Sequence, residues 1–262
     1  MSSRRRRDIR RRNNAMIWRQ LHVKCFTSAK LGEKTNADSY GYDLESGRFV
    51  IADGVSRSFR PHLWSAHICN SFAKSRQRVS KRTLSFMARD FSNSSEPLTW
   101  NLEELRDRGS HATMMVLDVR LSGGFLEVEA ASIGDCLLVF VSKDVNRVET
   151  TWPFKDAKEM PFATAAVSSV RPFLMAEQIL RAKIRLKPGL RILMATDAVA
   201  RYLLSTIKLP LANVPFFESQ MIFEKWADEM RKSELIENDD LTLLEISFDF
   251  RRGHSQTVVI DV

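Results

Sequence analysis

The sequence predicts an α+β domain, because short apolar strand-like runs recur along the chain and helical segments are inserted among them in pairs. Residues 16–28 and 48–52 read as strands, and Leu44-Glu45-Ser46-Gly47 turns between strand-like pieces. Leu63, Ala66, Ile68 and Phe72 recur at helical spacing and predict a helix over 59–75, followed by a second over 80–92. Ser92-Asn93-Ser94-Ser95-Glu96-Pro97 is a polar break too short for a domain linker. Strands dominate from Ala112 to Val141, with a hairpin signal at Ser122-Gly123-Gly124. Residues 150–175 carry proline, alanine and aromatics with poor periodicity, which predicts a loop or flap. Lys187-Pro188-Gly189 turns into a strand over 190–196, and helices follow at 197–206 and 216–232. In the last of these Phe216, Phe217, Met221, Phe223, Trp226 and Met230 are suited to packing on a sheet. A strand over 241–248 closes the core, and no internal repeat is present.

The 262 residues suit one domain over 16–250, between a basic tail (1–15) and a short C-terminal extension (251–262). The 44% apolar content is ordinary for a globular chain. No run approaches the ~20 apolar residues of a membrane span, and no apolar stretch follows the basic start as in a signal peptide. Cys25, Cys69 and Cys136 are odd in number and form no CxxC pair, so reduced thiols and a cytoplasmic protein are expected. The net charge of +8 is concentrated: residues 1–12 hold seven arginines and one aspartate, +6 of the total. Such a run self-repels and has little to bury, so it is expected to be disordered. It offers a surface to nucleic acid, an anionic membrane or an acidic partner, and a solvated tail with no partner is the equal alternative.

Five aspartates stand apart because each ends an apolar run or sits in a turn: Asp38, Asp53, Asp135, Asp197 and Asp239. Carboxylates are almost never buried unless paired or bound to a metal. Several meeting at one place would repel each other, and a hard divalent cation with oxygen ligands is the usual remedy. A strand ending in aspartate is often no more than a turn or helix cap; five in one chain favour a metal site. Nothing supports other chemistries. Ser56 and Ser58 lack a nucleophile elbow, there is no P-loop or Rossmann glycine pattern, and His62 and His67 are not spaced as a helical metal pair.

In order and content these runs resemble the type 2C metal-dependent serine/threonine protein phosphatases, in particular a bacterial branch. The matching stretches are Asn36-Ala37-Asp38, Ala52-Asp53-Gly54, Gly109-Ser110-His111-Ala112-Thr113, Gly134-Asp135-Cys136, Thr196-Asp197-Ala198 and Asp239-Asp240-Leu241-Thr242. They span roughly residues 21 to 248. The resemblance implies a four-layer αββα sandwich: two antiparallel sheets flanked by helices, with metals at one end. It implies Mn²⁺ or Mg²⁺, two ions and a weaker third, activating water against a phosphate ester. Asp53 would bridge the two ions, with the Gly54 carbonyl, Asp197 and Asp239 completing one of them. Asp38 would hold water from outside the ligand shell, and Asp135 would help hold the third ion. A phosphoprotein substrate follows, with a serine/threonine kinase as a partner that supplies it.

This chain departs from the family at two places. Ala37 stands where an acidic or amide residue is usual, which removes one contributor to the second ion. Glu33 stands where many members have a phosphate-binding arginine; Lys30 or Lys34 could substitute, although a solvated surface charge is the favoured reading of either. His111 invites a general-acid role, but the matching stretch in the family is structural and a packed histidine is the simpler expectation. A phosphatase-like fold kept as a binding module is the alternative that these departures motivate.

Overall fold

The computed structural model describes residues 21–94, 108–122, 125–142, 146–161, 164–171, 178–186, 189–207 and 214–248. The arginine run, the C-terminal extension, part of the break at 92–97 and the tip of the hairpin at 123–124 lie outside these residues. In chain order the described elements are β1 (Leu21–Ser28), β2 (Ser39–Asp43), β3 (Arg48–Gly54), α1 (Pro61–Lys74), α2 (Lys81–Ser94), β4 (His111–Ser122), β5 (Phe125–Ile133), β6 (Leu137–Ser142), β7 (Arg147–Trp152), β8 (Val167–Ser168), β9 (Leu180–Leu186), β10 (Leu190–Ala195), α3 (Asp197–Thr206), α4 (Gln220–Lys232) and β11 (Leu241–Phe248).

The strands form two antiparallel sheets, ordered β1-β11-β10-β6-β7 and β2-β3-β4-β5-β9, with β8 paired to β4. Three buried clusters separate four layers. Leu21, Phe49, Met115, Phe140, Met194 and Leu244 meet between the sheets. Phe26, Val139, Leu193, Leu203, Phe223 and Leu241 join the first sheet to α3 and α4. Val50, Trp64, Phe72, Leu84, Met114 and Val116 join the second sheet to α1 and α2. This is the expected α+β sandwich, and the sequence of β3 shows why. Phe49 and Ile51 face the other sheet while Val50 and Ala52 face α1, so both faces of the strand are covered and its sequence is continuously apolar.

Three stretches differ from expectation. Among its described residues, the loop expected over 150–175 contains the end of β7, a 3-10 turn at Ala157–Glu159 and the two-residue β8. Strand β9 has no counterpart among the expected elements. Its strict alternation, with Leu180, Ala182, Ile184 and Leu186 separated by Arg181, Lys183 and Arg185, is the pattern of a half-covered strand. Those cations suit a sheet edge, where charge discourages pairing with another chain. Helix α4 begins at Gln220, four residues later than the periodicity suggests, because Ser219 caps it by accepting from the Ile222 amide at 3.4 Å. Phe217, Phe223 and Trp226 pack as expected, with ring centroids 5.0–5.6 Å apart, whereas Phe216 and Met221 are exposed.

Candidate metal centre

Antiparallel pairing gathers the five aspartates at one end of the sandwich. Asp53 is the penultimate residue of β3 and pairs with Thr113 near the start of β4, whose Met114 in turn faces Ile133 at the end of β5. Asp135 lies in the turn from β5 to β6, Asp197 opens α3 directly after β10, and Asp239 lies just before β11. Ala195 at the end of β10 pairs with Leu243 and Leu137, and Leu241 pairs with Ser28, so these termini share one edge. Asp38 precedes β2, beside the end of β3.

The electrostatics record their proximity. Burial pushes the Asp53 carboxyl well above its usual range, and Asp38, Asp197, Asp135 and Asp239 each push it further. Burial also raises Asp38, against a hydrogen bond from Thr196, with Asp197 and Asp240 adding repulsion. Asp197 is pushed up to about 7 by burial and then by Asp135 and Asp239. Asp135 and Asp239 are raised chiefly by burial. None of the five makes a described ion pair.

Hydroxyl and amide groups hold these carboxylates instead. Thr196 Oγ1 donates to Asp38 Oδ2 at 2.8 Å, and the Asp38 amide donates to Asn36 Oδ1 at 2.8 Å. Asn36 Nδ2 donates to Thr27 Oγ1 at 2.6 Å, and that hydroxyl lies 3.0 Å from Thr242 Oγ1. Thr164 Oγ1 donates to Asp135 Oδ2 at 2.7 Å. Asp38 Oδ1 and Asp135 Oδ1 remain buried without a hydrogen-bond partner. The neighbouring Asp240 is different: it accepts from the amides of Lys30 at 2.9 Å and Ala37 at 2.8 Å, so it clamps the 30–37 loop to β11. Arg231, from α4, donates to the carbonyls of Asp239 at 2.7 Å and Ser28 at 3.1 Å. Sequence reasoning gave no role to Thr196, Thr242, Thr164, Asp240 or Arg231. Thr196 and Asp240 adjoin the chosen aspartates and could have been found that way; Thr164 and Arg231 carry no local signal.

Glycine is required beside two of the acids. A Cβ on Gly54 would stand 2.8 Å from the Ala37 and Pro61 carbonyl oxygens. At Gly134 the backbone has φ +99° and a Cβ would lie 2.5 Å from Thr113 Cβ. Ala37 is buried, its carbonyl accepting from Ser65 Oγ at 2.6 Å and from the Gly54 amide at 3.2 Å. Cys136 is buried with Sγ 3.4 Å from Thr113 Oγ1, and burial pushes its thiol well up, as for a core residue. Of the two candidate phosphate-binding lysines, Lys30 reaches the rim. Its Nζ donates to Ser56 Oγ at 3.3 Å, pairs with Glu33 at 3.3 Å and lowers Asp239. Lys34 is exposed on the 31–35 loop.

The residues fit hard divalent cations in donor type, in the two partnerless buried oxygens and in repulsion that only added positive charge relieves. Among the described residues, however, no three acidic, histidine or cysteine side chains close into a finished ligand cage.

Two face-to-face antiparallel sheets covered by helices are the architecture of type 2C phosphatases. No protein-family model matches the chain, and no curated protein matches it significantly. Solved structures do. The photosystem II phosphatase PBCP aligns with a TM-score of 0.55 at 16% identity, over 87% of this chain and 99% of that one. Serine/threonine phosphatase Stp1 from Staphylococcus aureus aligns at 0.54 and 10% identity, over 87% and 95%. RsbX in complex with magnesium aligns at 0.52 and 12% identity, over 88% and 96%. At these identities the likeness establishes the fold.

Proposed function

We propose that the chain is a metal-dependent phosphomonoesterase acting on phosphoserine and phosphothreonine side chains of proteins. The observation that carries this reading is Asp53, a carboxylate at a strand end that feels four other aspartates and no partnering cation. In this reading Asp53, the Gly54 carbonyl, Asp197 and Asp239 hold two Mn²⁺ or Mg²⁺ ions, and Asp135 contributes to a weaker third. When bound, the ions supply positive charge to the phosphoryl oxygens and lower the pKa of an attacking water. Asp38 orients that water: Thr196 fixes its Oδ2, which leaves Oδ1 to accept the water's hydrogen. Gly54 keeps the strand end close to the Ala37 and Pro61 carbonyls, where no side chain fits. Lys30, at the rim beside Asp239, is the better placed of the two lysines for a phosphate contact; Lys34 is the weaker candidate. A serine/threonine kinase is the partner that would supply such a substrate.

A second reading, a binding module that has lost turnover, is favoured by Ala37 and by the open ligand arrangement. Para-nitrophenyl phosphate hydrolysis decides between them, titrated with Mn²⁺ and Mg²⁺ after chelation, alongside Asp53→Ala and Asp239→Ala. Metal-restored turnover that both substitutions abolish supports the hydrolase. A folded protein with no turnover at any metal level supports the binding module.

A further inference from the structure

Asp38 stands outside the strands, in the segment that carries the chain from β1 to β2, yet both its backbone and its carboxylate are held. Its amide donates to Asn36 Oδ1 at 2.8 Å, and its Oδ2 accepts from Thr196 Oγ1 at 2.8 Å. Both contacts lead on to one residue of β11. Asn36 Nδ2 donates to Thr27 Oγ1 at 2.6 Å, and Thr27 Oγ1 lies 3.0 Å from Thr242 Oγ1. On the other side Thr196 Oγ1 accepts from the Thr242 amide at 3.0 Å. Asp38, Asn36, Thr27, Thr242 and Thr196 thus close a ring that starts and ends on Asp38.

The polarity of the ring is largely forced. Asn36 Oδ1 accepts from the Asp38 amide, so its nitrogen faces Thr27, and an amide nitrogen only donates. A carboxylate only accepts. Thr196 therefore gives its one proton to Asp38 Oδ2 at 2.8 Å in preference to the Thr242 carbonyl at 3.4 Å.

The sheet itself does not ask for these hydroxyls. Thr27 and Thr242 are register partners across β1 and β11, and a valine pair has the same branched shape and strand preference. Thr242 and Thr196 are fully buried, where an unbonded hydroxyl is costlier than a methyl. What the hydroxyls add is a grip on Asn36 and, through it, on Asp38. Ala37 between them is held as well: its amide donates to Asp240 Oδ2, and its carbonyl accepts from Ser65 Oγ and the Gly54 amide. Against this, Asp38 Oδ1 is buried without a hydrogen-bond partner. A carboxylate gripped at its backbone and at one oxygen presents the other oxygen in a fixed direction. Misplacing such a group by about 1 Å costs on the order of a hundredfold in rate.

We propose that Thr27, Asn36 and Thr242 are positioning residues, which act through the ring to aim Asp38 Oδ1 at the attacking water. The role of that water rests on the phosphatase reading above; the grip on Asp38 does not require turnover.

The test compares Thr27→Val with Thr27→Ser in the full chain, because only serine keeps the hydroxyl that holds Asn36. In chelator, exchange of the Asp38 backbone amide, followed by NMR, should quicken about tenfold in Thr27→Val and stay near wild type in Thr27→Ser. Mn²⁺ affinity, read by electron paramagnetic resonance without substrate, should fall about threefold to tenfold with valine and recover with serine. In para-nitrophenyl phosphate hydrolysis at saturating Mn²⁺, kcat should fall about tenfold with valine while KM stays within about twofold. Thr242→Val, which keeps the backbone bond to Thr196, should match Thr27→Val, and the double variant should be no worse than either. A pair that serves the sheet alone would lower stability in urea and leave kcat of the folded fraction unchanged. Unchanged Asp38 exchange in both valine variants overturns the ring. Quickened exchange with unchanged kcat in an active chain overturns it too, and leaves the phosphatase reading standing. Where the wild type shows no turnover, Mn²⁺ affinity decides. A loss with valine that serine restores keeps the grip on Asp38 and retires the phosphatase reading alone. An unchanged affinity, or no Mn²⁺ binding, retires both.

Discussion

The two ends of strand β3 treat a carboxylate in opposite ways. At its start Arg48 faces Asp118 across the sheet and donates to both carboxylate oxygens at 2.7 Å, while its remaining nitrogen bonds the Ser75 and Gln77 carbonyls. At its end Asp53 faces Thr113, with four more aspartates around it and no described cation in contact. A buried pair of the first kind also joins Arg191 to Glu245 at 3.4 Å. Even Arg231, whose side chain is 0% exposed beneath the acid end, donates to carbonyls and a serine hydroxyl and pairs with Asp228 at 3.7 Å rather than with a ligand carboxylate. Charges neutralised internally belong to the fold. At the acid end Arg201 lowers Asp135 and Asp197 and Lys30 lowers Asp239 without a described ion pair to any of the five, so burial leaves the carboxylate charge only partly offset from within.

The comparison breaks most visibly through the two ends' own residues. Asp53→Ala should lower metal-dependent turnover by about a thousandfold, near 4 kcal/mol of barrier, with the fold intact. Steady-state hydrolysis and circular dichroism of the purified variant check it, and retained turnover would remove Asp53 from the site. Arg48→Ala should do the reverse. Leaving Asp118 without its partner is expected to cost about 3 kcal/mol in urea unfolding while the folded fraction keeps its turnover.

The same contrast explains what the sequence could disclose. Apolar runs ending in aspartate mark strand termini, so the α+β class and a cluster of acids were legible in the residues, whereas the two-sheet sandwich followed only from the resemblance to type 2C phosphatases. The expected span of α3 and that of β11 coincide with those observed, because each is bounded by an abrupt change in pattern at Asp197 and Leu241. Strand β9 carries a legible signal, a strict apolar/polar alternation, although no strand was expected there. Arg231 stayed hidden because its bonds reach residues 8 and 203 positions away, and nothing within α4 signals them. The Asp239–Asp240 pair shows the finer limit. Adjacent identical residues divide into one that holds a loop by two amides and one with its carboxylate beside Lys30, and only hydrogen-bond geometry separates them.

Gly54 sharpens the comparison at a single methyl group. The two backbone oxygens that would stand 2.8 Å from an alanine Cβ cannot yield as a flexible side-chain end would. Gly54→Ala should therefore cost about 1–3 kcal/mol and displace the Ala37 or Pro61 carbonyl. Turnover should fall with it, because the strand end that carries Asp53 moves. Urea unfolding and kinetics of one preparation report both, and an alanine variant as stable as the parent would mean that the 30–37 loop adapts freely.

The smallest effect is the dependence of stability on pH without metal. Asp197 is raised from 3.8 to about 7, and Asp38 and Asp53 are raised well above their usual value. A carboxyl whose folded pKa lies above its unfolded one binds more protons in the folded state, so its stabilising contribution is complete at low pH and is lost as pH rises through the folded pKa. His67 and His111 oppose this trend. Burial lowers both below 6.5, so their contribution is lost as pH falls, in the range beneath 6.5. Between pH 6.5 and 8 the acids act against only the tail of the unfolded-state histidine titration, and each excess proton is worth at most about 1.4 kcal/mol per pH unit. In chelator, urea-derived stability should fall across that interval by about 1 kcal/mol per unit, Mg²⁺ should flatten the slope, and Asp53→Asn should reduce it. A flat or rising profile in chelator would show that the chain neutralises its acid end internally, as Arg48 does for Asp118, and the distinction between the two ends of β3 would vanish.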